Sequence, residues 1–266
     1  MKSLTKPTIT PKQHQLLQLL YRYRFLTRIQ IQQLLHHTDK KRINAWLKDL
    51  YEKHYLGRIY SKTYGENAKP AIYYMALEGI RFLKKSGTGS DEVLKKLYRD
   101  KERSSGFISQ CLLLADISLT LYNQTTEGVS FITELANDFM AKGSPFHFLE
   151  SLRPHLLFIK QEKTKKTPYL LEYFPSTLPK QAMHNRLKAY IKYYFSNTWE
   201  NNRSEPFPIL LFICPATDVL IYAKWTAKKL LTENQSPDDL HLRFTLESEI
   251  RQSGVTSEIW EEARQF

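Results

Sequence analysis

The segment DKKRINAWLKDL, residues 39–50, decides the N-terminal fold, because it has the pattern of a helix with two unlike faces. Ile43, Leu47 and Leu50 recur at helical spacing on one face. The opposite face is polar and basic, and it comprises Lys41, Asn44, Ala45 and Lys48. Three successive cations also open the helix, where the helix dipole makes positive charge mildly unfavourable. A surface that meets a polyanion would reverse that preference.

Two shorter helical patterns come before this segment. Thr10 and Pro11 form an N-cap followed by proline at the first helical position, which predicts the start of a first helix. Thr27 caps a second helix, whose apolar face includes Ile31. A short break then leads into residues 39–50, so the second and third helices are predicted to form a helix-turn-helix.

The segments that follow the third helix predict a β-hairpin. YLGRIYSKTY (55–64) and KPAIYYMA (69–76) are short β-rich runs, and the turn-type residues 65–68 separate them. LEGIRFLKK (77–85) then has the pattern of a closing helix. Three helices, a hairpin and a further helix are together the element order of a winged helix, in which the hairpin is the wing.

Positive charge is concentrated in the first part of the chain. The protein carries 39 Lys and Arg against 27 Asp and Glu, which gives a net charge of +12. Residues 1–103 hold 22 of these cations and 9 of the acids, whereas residues 104–266 hold 17 and 18. This asymmetry indicates a nucleic-acid-facing module joined to a near-neutral one; the alternative is a generic basic surface that serves solubility.

Composition restricts the class of protein further. A length of 266 residues allows one large or two ordinary domains, each with its own core. Cys111 and Cys214 lie in apolar runs, and we interpret them as buried thiols of a reducing compartment. The N-terminal segment lacks the apolar stretch of a signal peptide, and no run approaches the about 20 apolar residues of a membrane span. We therefore expect a cytoplasmic protein without a membrane partner.

The rest of the chain predicts an α/β layer structure. A polar, Gly-rich segment at 85–92 is the candidate boundary, and helical patterns follow over 91–123 and 178–199. Strands are predicted at GVSFITEL (128–135), RPHLLFIK (153–160), TPYLLEYF (167–174) and PFPILLFICPA (206–216), and VLIYAKW (219–225) is compatible with another. Helix, three strands, helix and strand is the order of an α/β sandwich. The polar residues after 230 have no assignment.

Several short segments together resemble one family, the replication-relaxation family of plasmids and integrative elements. These segments are YYMALEGIRFL (73–83), RPHLLF (153–158), YLLEYF (169–174), RLKAYIKYY (186–194) and FPILLFIC (207–214). The resemblance extends over roughly residues 10–225. It implies that the second half is similar to the PD-(D/E)XK nuclease fold. It also implies a role in replication, transfer or transcriptional control on a bacterial mobile element.

The resemblance completes the fold prediction. The expected class is α+β, with an N-terminal winged helix-turn-helix followed by an α/β restriction-endonuclease-like domain. We assign residues 1–88 to the DNA-binding winged helix and residues 89–230 to the nuclease-like domain, and residues 231–266 form a C-terminal extension without assignment.

Nucleases of that superfamily hold a divalent metal between an Asp on one strand and an acidic residue on the next, with a Lys two positions later. Carried over residue by residue, His155 stands where the Asp is expected, and Glu172 keeps the second acidic position. Phe174 stands where the Lys is expected, and its ring can neither bind a metal nor donate a proton. One of the three functional groups is therefore retained.

Other residues could compensate only in part. Glu134 is a candidate auxiliary acid, and Arg186 or Lys188 on the following helix could substitute for the missing lysine. None of them restores the missing Asp. We therefore expect a nuclease-like fold that is not an enzyme and has no metal or cofactor, with His155, Glu172 and Glu134 as residual motif positions.

The predicted partner is double-stranded DNA, because the major groove admits an α-helix that carries Lys, Arg and Asn. The candidate DNA-binding residues are Lys40, Lys41, Arg42, Asn44 and Lys48 on the third helix, and Arg58, Lys62 and Lys69 on or beside the wing. Winged-helix regulators often act as dimers, so a homodimer on a two-fold operator is compatible with this interpretation. A replication or transfer protein is a further candidate partner.

Alternative functions stay open at this stage. An active metal-dependent nuclease would use Glu134 and Glu172, and a protein-binding adaptor would use the winged helix to contact protein. Residues 188–199 interleave aromatic rings with cations, as in single-stranded DNA binding, although their helical period favours core packing. His147, His155 and His184 follow no known metal-ligand spacing.

Overall fold

The structure, a computed structural model, describes residues 9–61, 63, 68–141 and 143–265. The chain divides into two compact units, Met1–Ala115 and Asp116–Phe266. The helices of the first unit are α1 (Pro11–Tyr23), α2 (Arg28–Leu34), α3 (Lys40–Glu52), α4 (Leu77–Lys85) and α5 (Asp91–Leu97). Its strands are β1 (Phe25–Thr27), β2 (Leu56–Ile59) and β3 (Ile72–Met75).

The first unit is a winged helix, as the sequence predicts. Thr10 and Thr27 each accept a hydrogen bond from the backbone of the residue three positions later, and Gln13 and Gln30 bond back to the cap backbone. These reciprocal bonds fix where α1 and α2 begin. The helix α3 buries Ile43, which confirms the apolar face inferred from its spacing, and Leu47 and Leu50 are buried with it.

The sheet of this unit has the order β1–β3–β2, and both pairings are antiparallel. The hairpin of β2 and β3 is the wing. The strand β1 was not anticipated, because three residues are too few for an alternating pattern to stand out. Residues 64–67, which include most of the predicted turn, lie outside the described residues, as does Lys62.

The Gly-rich segment before α5 is packed in the first unit. Gly89 has φ +85°, a conformation that favours glycine, and the ring of Tyr21 lies against its Cα. The amide of Ser90 donates a hydrogen bond to the Tyr21 hydroxyl at 3.0 Å. The division between the compact units falls between Ala115 and Asp116. The predicted functional boundary at 88/89 stays a prediction.

A long helix, α6 (Ser105–Asn123), crosses that division. The strands that follow are β4 (Val129–Leu135), β5 (Leu156–Glu162), β6 (Lys165–Tyr173), β7 (Ile209–Cys214), β8 (Leu242–Leu246) and β9 (Glu261–Glu262). The helices are α7 (Ala136–Phe139), α8 (Lys180–Phe195), α9 (Thr198–Asn202), α10 (Thr217–Glu233) and α11 (Glu247–Ser253).

The second unit is built on one mixed sheet, with the order β4–β5–β6–β7–β8–β9. The strands β4, β5 and β6 form an antiparallel meander, and β7 and β8 continue the sheet in parallel with β6. The helix α8 makes the crossover from β6 to β7, as parallel neighbours require. Helix, three strands, crossover helix and strand is the restriction-endonuclease-like order, so the predicted fold class is confirmed.

Two assignments in the C-terminal part were wrong or missing. The segment 219–225 belongs to α10 and is not a strand, since Leu220, Ala223 and Ala227 recur at helical spacing and are buried. A short apolar run does not distinguish a strand from a buried helix. The extension after 230 is part of the sheet, because Leu242 and Phe244 of β8 are buried in the core.

Among the residues that the structure describes, one helix is long and apolar enough to cross a membrane by length and composition alone. It is α6, with 19 residues, and half of its apolar window is buried. The expectation that no run approaches a span is corrected on this point. Core helices of soluble proteins pass the same test. Cys111 and Cys214 are free and buried, as predicted, and burial raises the pKa of each thiol to about 12.

Candidate nucleic-acid interface and residual nuclease motif

The N-terminus of α3 is capped by a carboxylate that lies next to its three cations. Asp39 accepts hydrogen bonds from the backbone amides of Lys41, at 2.7 Å, and Arg42, at 3.2 Å. Both hydrogen bonds lower the pKa of Asp39, and the bond from the Arg42 amide contributes most. Because a capping carboxylate stabilises the positive end of the helix dipole, α3 can begin with Lys and Arg.

The polar face of α3 is exposed. Its exposed members are Lys40, Lys41, Arg42, Asn44, Ala45 and Lys48. Lys48 lies 3.8 Å from Glu52, and both side chains are largely exposed, so this ion pair is weak. The face therefore offers cations and an amide to solvent, while the opposite face holds the core.

The wing adds an arginine between aromatic rings. Arg58 is exposed on β2, and its guanidinium carbon lies 4.9 Å from the ring centroid of Tyr51 and 5.8 Å from that of Tyr60. Stacking on these rings restricts the arginine without neutralising its charge. Lys69, three residues before β3, is also exposed. The structure thus brings Arg58 of the wing against Tyr51 of α3.

Tyr51 and Tyr60 were not among the predicted interface residues. Their side chains are 40% and 45% exposed. Tyr51 follows Asn44 and Lys48 along the same helical face, so helical spacing could have identified it. For Tyr60 the sequence has no comparable signal, because its contact with Arg58 depends on the conformation of the hairpin.

The residual nuclease motif lies in the second unit, where the chain enters β5 and leaves β6. Leu156 is paired with Leu171, which places His155 beside Glu172 on the next strand. The His155 Nδ1 lies 3.6 Å from the Glu172 Oε1. The structure thus brings the two residual motif positions together from neighbouring strands.

Arg186 of α8 binds the carboxylate of Glu172 in a bidentate manner. Its Nε donates to Oε1 at 3.1 Å, and its Nη2 donates to Oε2 at 2.7 Å. The hydroxyl of Tyr190 donates to the same Oε2 at 2.6 Å. The guanidinium also donates to the carbonyls of Leu152 and Arg153. Both oxygens of the retained acid are thus bound by the protein itself.

The protonation states of the motif follow from these contacts. Burial alone would raise the pKa of Glu172, but the neighbouring His155, the charge and hydrogen bonds of Arg186 and the hydrogen bond of Tyr190 lower the pKa overall. Burial lowers the pKa of His155. The Nδ1 of His155 accepts a hydrogen bond from the amide of Tyr173 at 3.0 Å, so it carries no proton. An anionic Glu172, a cationic Arg186 and a neutral His155 therefore occupy the site.

The residues present do not fit the divalent metal that this fold implies. Both oxygens of Glu172 are already hydrogen-bonded, and Phe174 is buried and stacked on Phe212 at 5.3 Å between centroids. Glu134 lies on β4, two strands from Glu172. Within the described ranges, no group of three or more His, Cys, Asp or Glu side chains could hold a metal ion.

A model of the replication-relaxation family matches residues 17–208 of this chain, which is more than half of its length. The chain belongs to the replication-relaxation family. The resemblance stated from short sequence segments is thereby confirmed. A search of curated proteins finds no match to this family member.

Among solved structures, this replication-relaxation protein is similar to the restriction endonuclease FokI, with 11% sequence identity and a TM-score of 0.31. The alignment covers 93% of this chain and 45% of the FokI chain, so the chain spans less than half of the length of FokI. Similarity at this level supports no statement about function. The fold assignment depends on the strand order and helix positions described above.

The structure also places the other residues of this family member that the sequence analysis considered as binding or catalytic candidates. Tyr190, Ile191 and Tyr193 of α8 are buried, which confirms core packing for that part of residues 188–199. Lys188 is exposed, and Arg186, the other candidate substitute for the missing lysine, is the residue that binds Glu172. His147 lies 3.1 Å from Glu150, in a local contact on the same turn.

Proposed function

We propose that this replication-relaxation protein binds double-stranded DNA through α3 and the β2–β3 wing. One observation carries the proposal: the exposed face of a winged-helix third helix bears Lys41, Asn44 and Lys48. The α-helix fits the major groove in width, and these side chains reach phosphates and base edges. The excess of cations over acids in residues 1–103 supports the same interpretation.

In this proposal the interface residues have different roles. Asn44 lies in the middle of the face, and its amide can form two hydrogen bonds with an adenine edge. Lys40, Lys41 and Lys48 neutralise phosphates beside the groove, and Arg42 contacts the backbone. Arg58, held between two tyrosine rings, enters the neighbouring groove from the wing. Lys69 adds to the positive potential of the hairpin, and Lys62 stays a predicted contact outside the described residues.

A salt titration with matched variants tests this proposal. Each phosphate that a lysine neutralises lowers the logarithm of the affinity by about 0.9 per decade of salt on duplex DNA. We expect the Lys41→Ala, Lys48→Ala variant to bind a labelled duplex more weakly and with a smaller salt slope, by up to about two. The Lys163→Ala, Lys165→Ala variant removes the same charge from exposed positions in the second unit.

The comparison of the two variants decides the outcome. Equal losses in both would mean that net charge alone attracts DNA. No detectable duplex binding by the unmodified protein at low salt would favour the adaptor function, in which the winged helix contacts another protein.

We propose further that the second unit has no nuclease activity. The bidentate contact of Arg186 with Glu172 supports this, because a guanidinium bound to both carboxylate oxygens leaves no pair of hard oxygen ligands for a metal. Incubation of plasmid DNA with the protein and Mg²⁺ or Mn²⁺ tests the point. Cleavage that the Glu172→Ala substitution abolishes would establish the rival function, a metal-dependent nuclease.

The biological role in this proposal is action on DNA of a bacterial mobile element, in replication, transfer or transcriptional control, within the cytoplasm. It rests on membership of the family and on the proposed DNA contact. A homodimer would place two α3 helices on a two-fold operator. A footprint on the DNA of the element, compared with random DNA, tests both: a sharp symmetric footprint supports a dimeric regulator or origin binder.

A further inference from the structure

The helix α10 of the second unit exposes large apolar side chains on its outer face. Trp225 is 52% exposed and Ile221 is 47% exposed, one helical turn apart. The ring of Tyr222 lies 6.3 Å from that of Trp225, with an angle of 34° between the planes. An indole is the side chain that gains most from being covered, so its exposure beside a second ring marks a contact surface.

Lysines lie at both ends of this pair of rings. The Nζ of Lys180, at the start of α8, is 4.9 Å from the centroid of the Tyr222 ring. The Nζ of Lys229, one turn after Trp225, is 5.6 Å from the centroid of the indole. Two cations therefore flank two aromatic rings, and we name Lys180, Tyr222, Trp225 and Lys229 the lysine–aromatic cluster.

The surroundings of the cluster are basic on the side of α8. The 16 residues of α8 contain no Asp or Glu, and besides Arg186, whose charge is paired with Glu172, they include Lys180, Lys188 and Lys192. On α10, Lys229 lies 3.7 Å from Glu233, and both side chains are more than half exposed. Such an exposed pair is worth little and leaves the lysine available to a stronger anion.

We propose that the lysine–aromatic cluster binds single-stranded nucleic acid. An unpaired base stacks on the indole of Trp225, and Lys180 and Lys229 contact the adjoining phosphates. Single strands suit this surface because their bases present free faces, whereas the bases of a duplex are already stacked on each other. This site is separate in sequence from α3 and does not depend on the proposed duplex site.

An equilibrium titration with the full chain tests the site. The probe is fluorescein-labelled dT15, followed by anisotropy, and the background is the Lys41→Ala, Lys48→Ala protein, which weakens the proposed duplex site. Stacking of one base on an aromatic side chain changes affinity roughly 5- to 150-fold. We expect Trp225→Ala to lose affinity in this range. Trp225→Phe keeps a smaller ring, so its affinity for dT15 should lie between those of the Trp225 protein and the Trp225→Ala protein.

Ile221→Ala is the matched control, because it removes a comparably exposed apolar side chain from the same helix face without removing a ring. It should leave the affinity for dT15 unchanged. The Lys180→Ala, Lys229→Ala protein supplies an independent measurement. Its salt slope on dT15 should be smaller by about 1.4, since each phosphate contact on a single strand contributes about 0.7.

Several results would overturn the proposal. They are an absence of dT15 binding, an affinity that Trp225→Ala does not change, and a loss that Ile221→Ala reproduces. A salt slope that is the same with and without Lys180 and Lys229 would also reject it. If Trp225→Ala weakened duplex and dT15 binding equally, the surface would not be specific for single strands.

Discussion

The basic face of α3 and the Glu172 site use the same kinds of charged side chain for opposite purposes. On α3, the carboxylate of Asp39 bonds to backbone amides, and Lys41 and Lys48 stay exposed. In the second unit, the guanidinium of Arg186 is bound by Glu172, by Tyr190 and by two carbonyls. Charge at the first site is available to a partner, whereas charge at the second stabilises the protein.

This contrast shows why an acid at a motif position does not by itself indicate catalysis. The resemblance gives Glu172 the position of a nuclease acid, yet its environment is that of an ion pair with Arg186. A carboxylate in a low-dielectric site needs a cation, and either a metal or a guanidinium can supply the charge. In this protein the guanidinium is covalently part of the chain and is always present.

The largest effect is expected from breaking the buried pair. Arg186→Met leaves the Glu172 carboxylate buried without its cation, which should destabilise the second unit by about 3–5 kcal/mol. Urea unfolding followed by tryptophan fluorescence measures this. The Glu172→Gln, Arg186→Met protein is the control, and it should recover much of the loss. Equal instability of the two proteins would contradict the ion-pair interpretation.

A second prediction concerns sequence recognition by α3. Asn44→Ala should reduce discrimination between specific and altered duplexes by about 1–3 kcal/mol, because an amide that reads a base edge is lost. Lys40→Ala should instead weaken binding to all duplexes alike. Competition binding with single-base variants of a footprinted site measures both. A uniform effect of Asn44→Ala on every duplex would place Asn44 on the backbone.

Substitutions of Asp39, the cap of α3, distinguish the effect of its charge on DNA binding from its effect on helix stability. Asp39→Ala should destabilise the first unit, since two backbone amides lose their acceptor. Asp39→Asn keeps an acceptor and should cost less stability. Both substitutions remove a negative charge beside the cations, so both should strengthen duplex binding at low salt. Thermal unfolding and a duplex titration together test this. Weaker duplex binding by Asp39→Asn would contradict it.

The smallest expected effect is that of pH on the free energy of unfolding. The pKa of His155 is lowered in the folded protein from its ordinary value of 6.5, mainly because the ring is buried. Below about pH 6.5 the unfolded chain binds a proton that the folded chain does not. The free energy of unfolding should therefore fall as the pH drops through this range, with full stability above it.

Substitution identifies the group responsible for that pH dependence. His155→Asn should flatten the decline below pH 6.5. The lowered pKa of Glu172 acts at more acid pH, where protonation of the carboxylate breaks its pair with Arg186. Urea unfolding across this pH range measures both regions. An unchanged pH profile for His155→Asn would assign the decline to other groups.

Prediction from sequence succeeded where the signal is local. The caps at Thr10 and Thr27 and the apolar spacing of Ile43, Leu47 and Leu50 were correct, because helix ends and faces are encoded within a few residues. The inability of Phe174 to bind a metal or donate a proton likewise follows from its side chain alone. Arg186 was considered only as a substitute for a missing lysine, because its pairing joins residues 14 positions apart on different elements.

Sequence by itself determined the winged helix, the concentration of cations before residue 104 and the presence of His155 and Phe174 at the positions aligned with the motif, since periodicity, net charge and residue identity are properties of the chain. Tertiary structure alone decided that α10 is a helix, that the last strands complete the sheet, and that Glu172 is neutralised by Arg186. The physical reason is that burial and ion pairing depend on neighbours in space, and folding selects those neighbours from distant parts of the sequence.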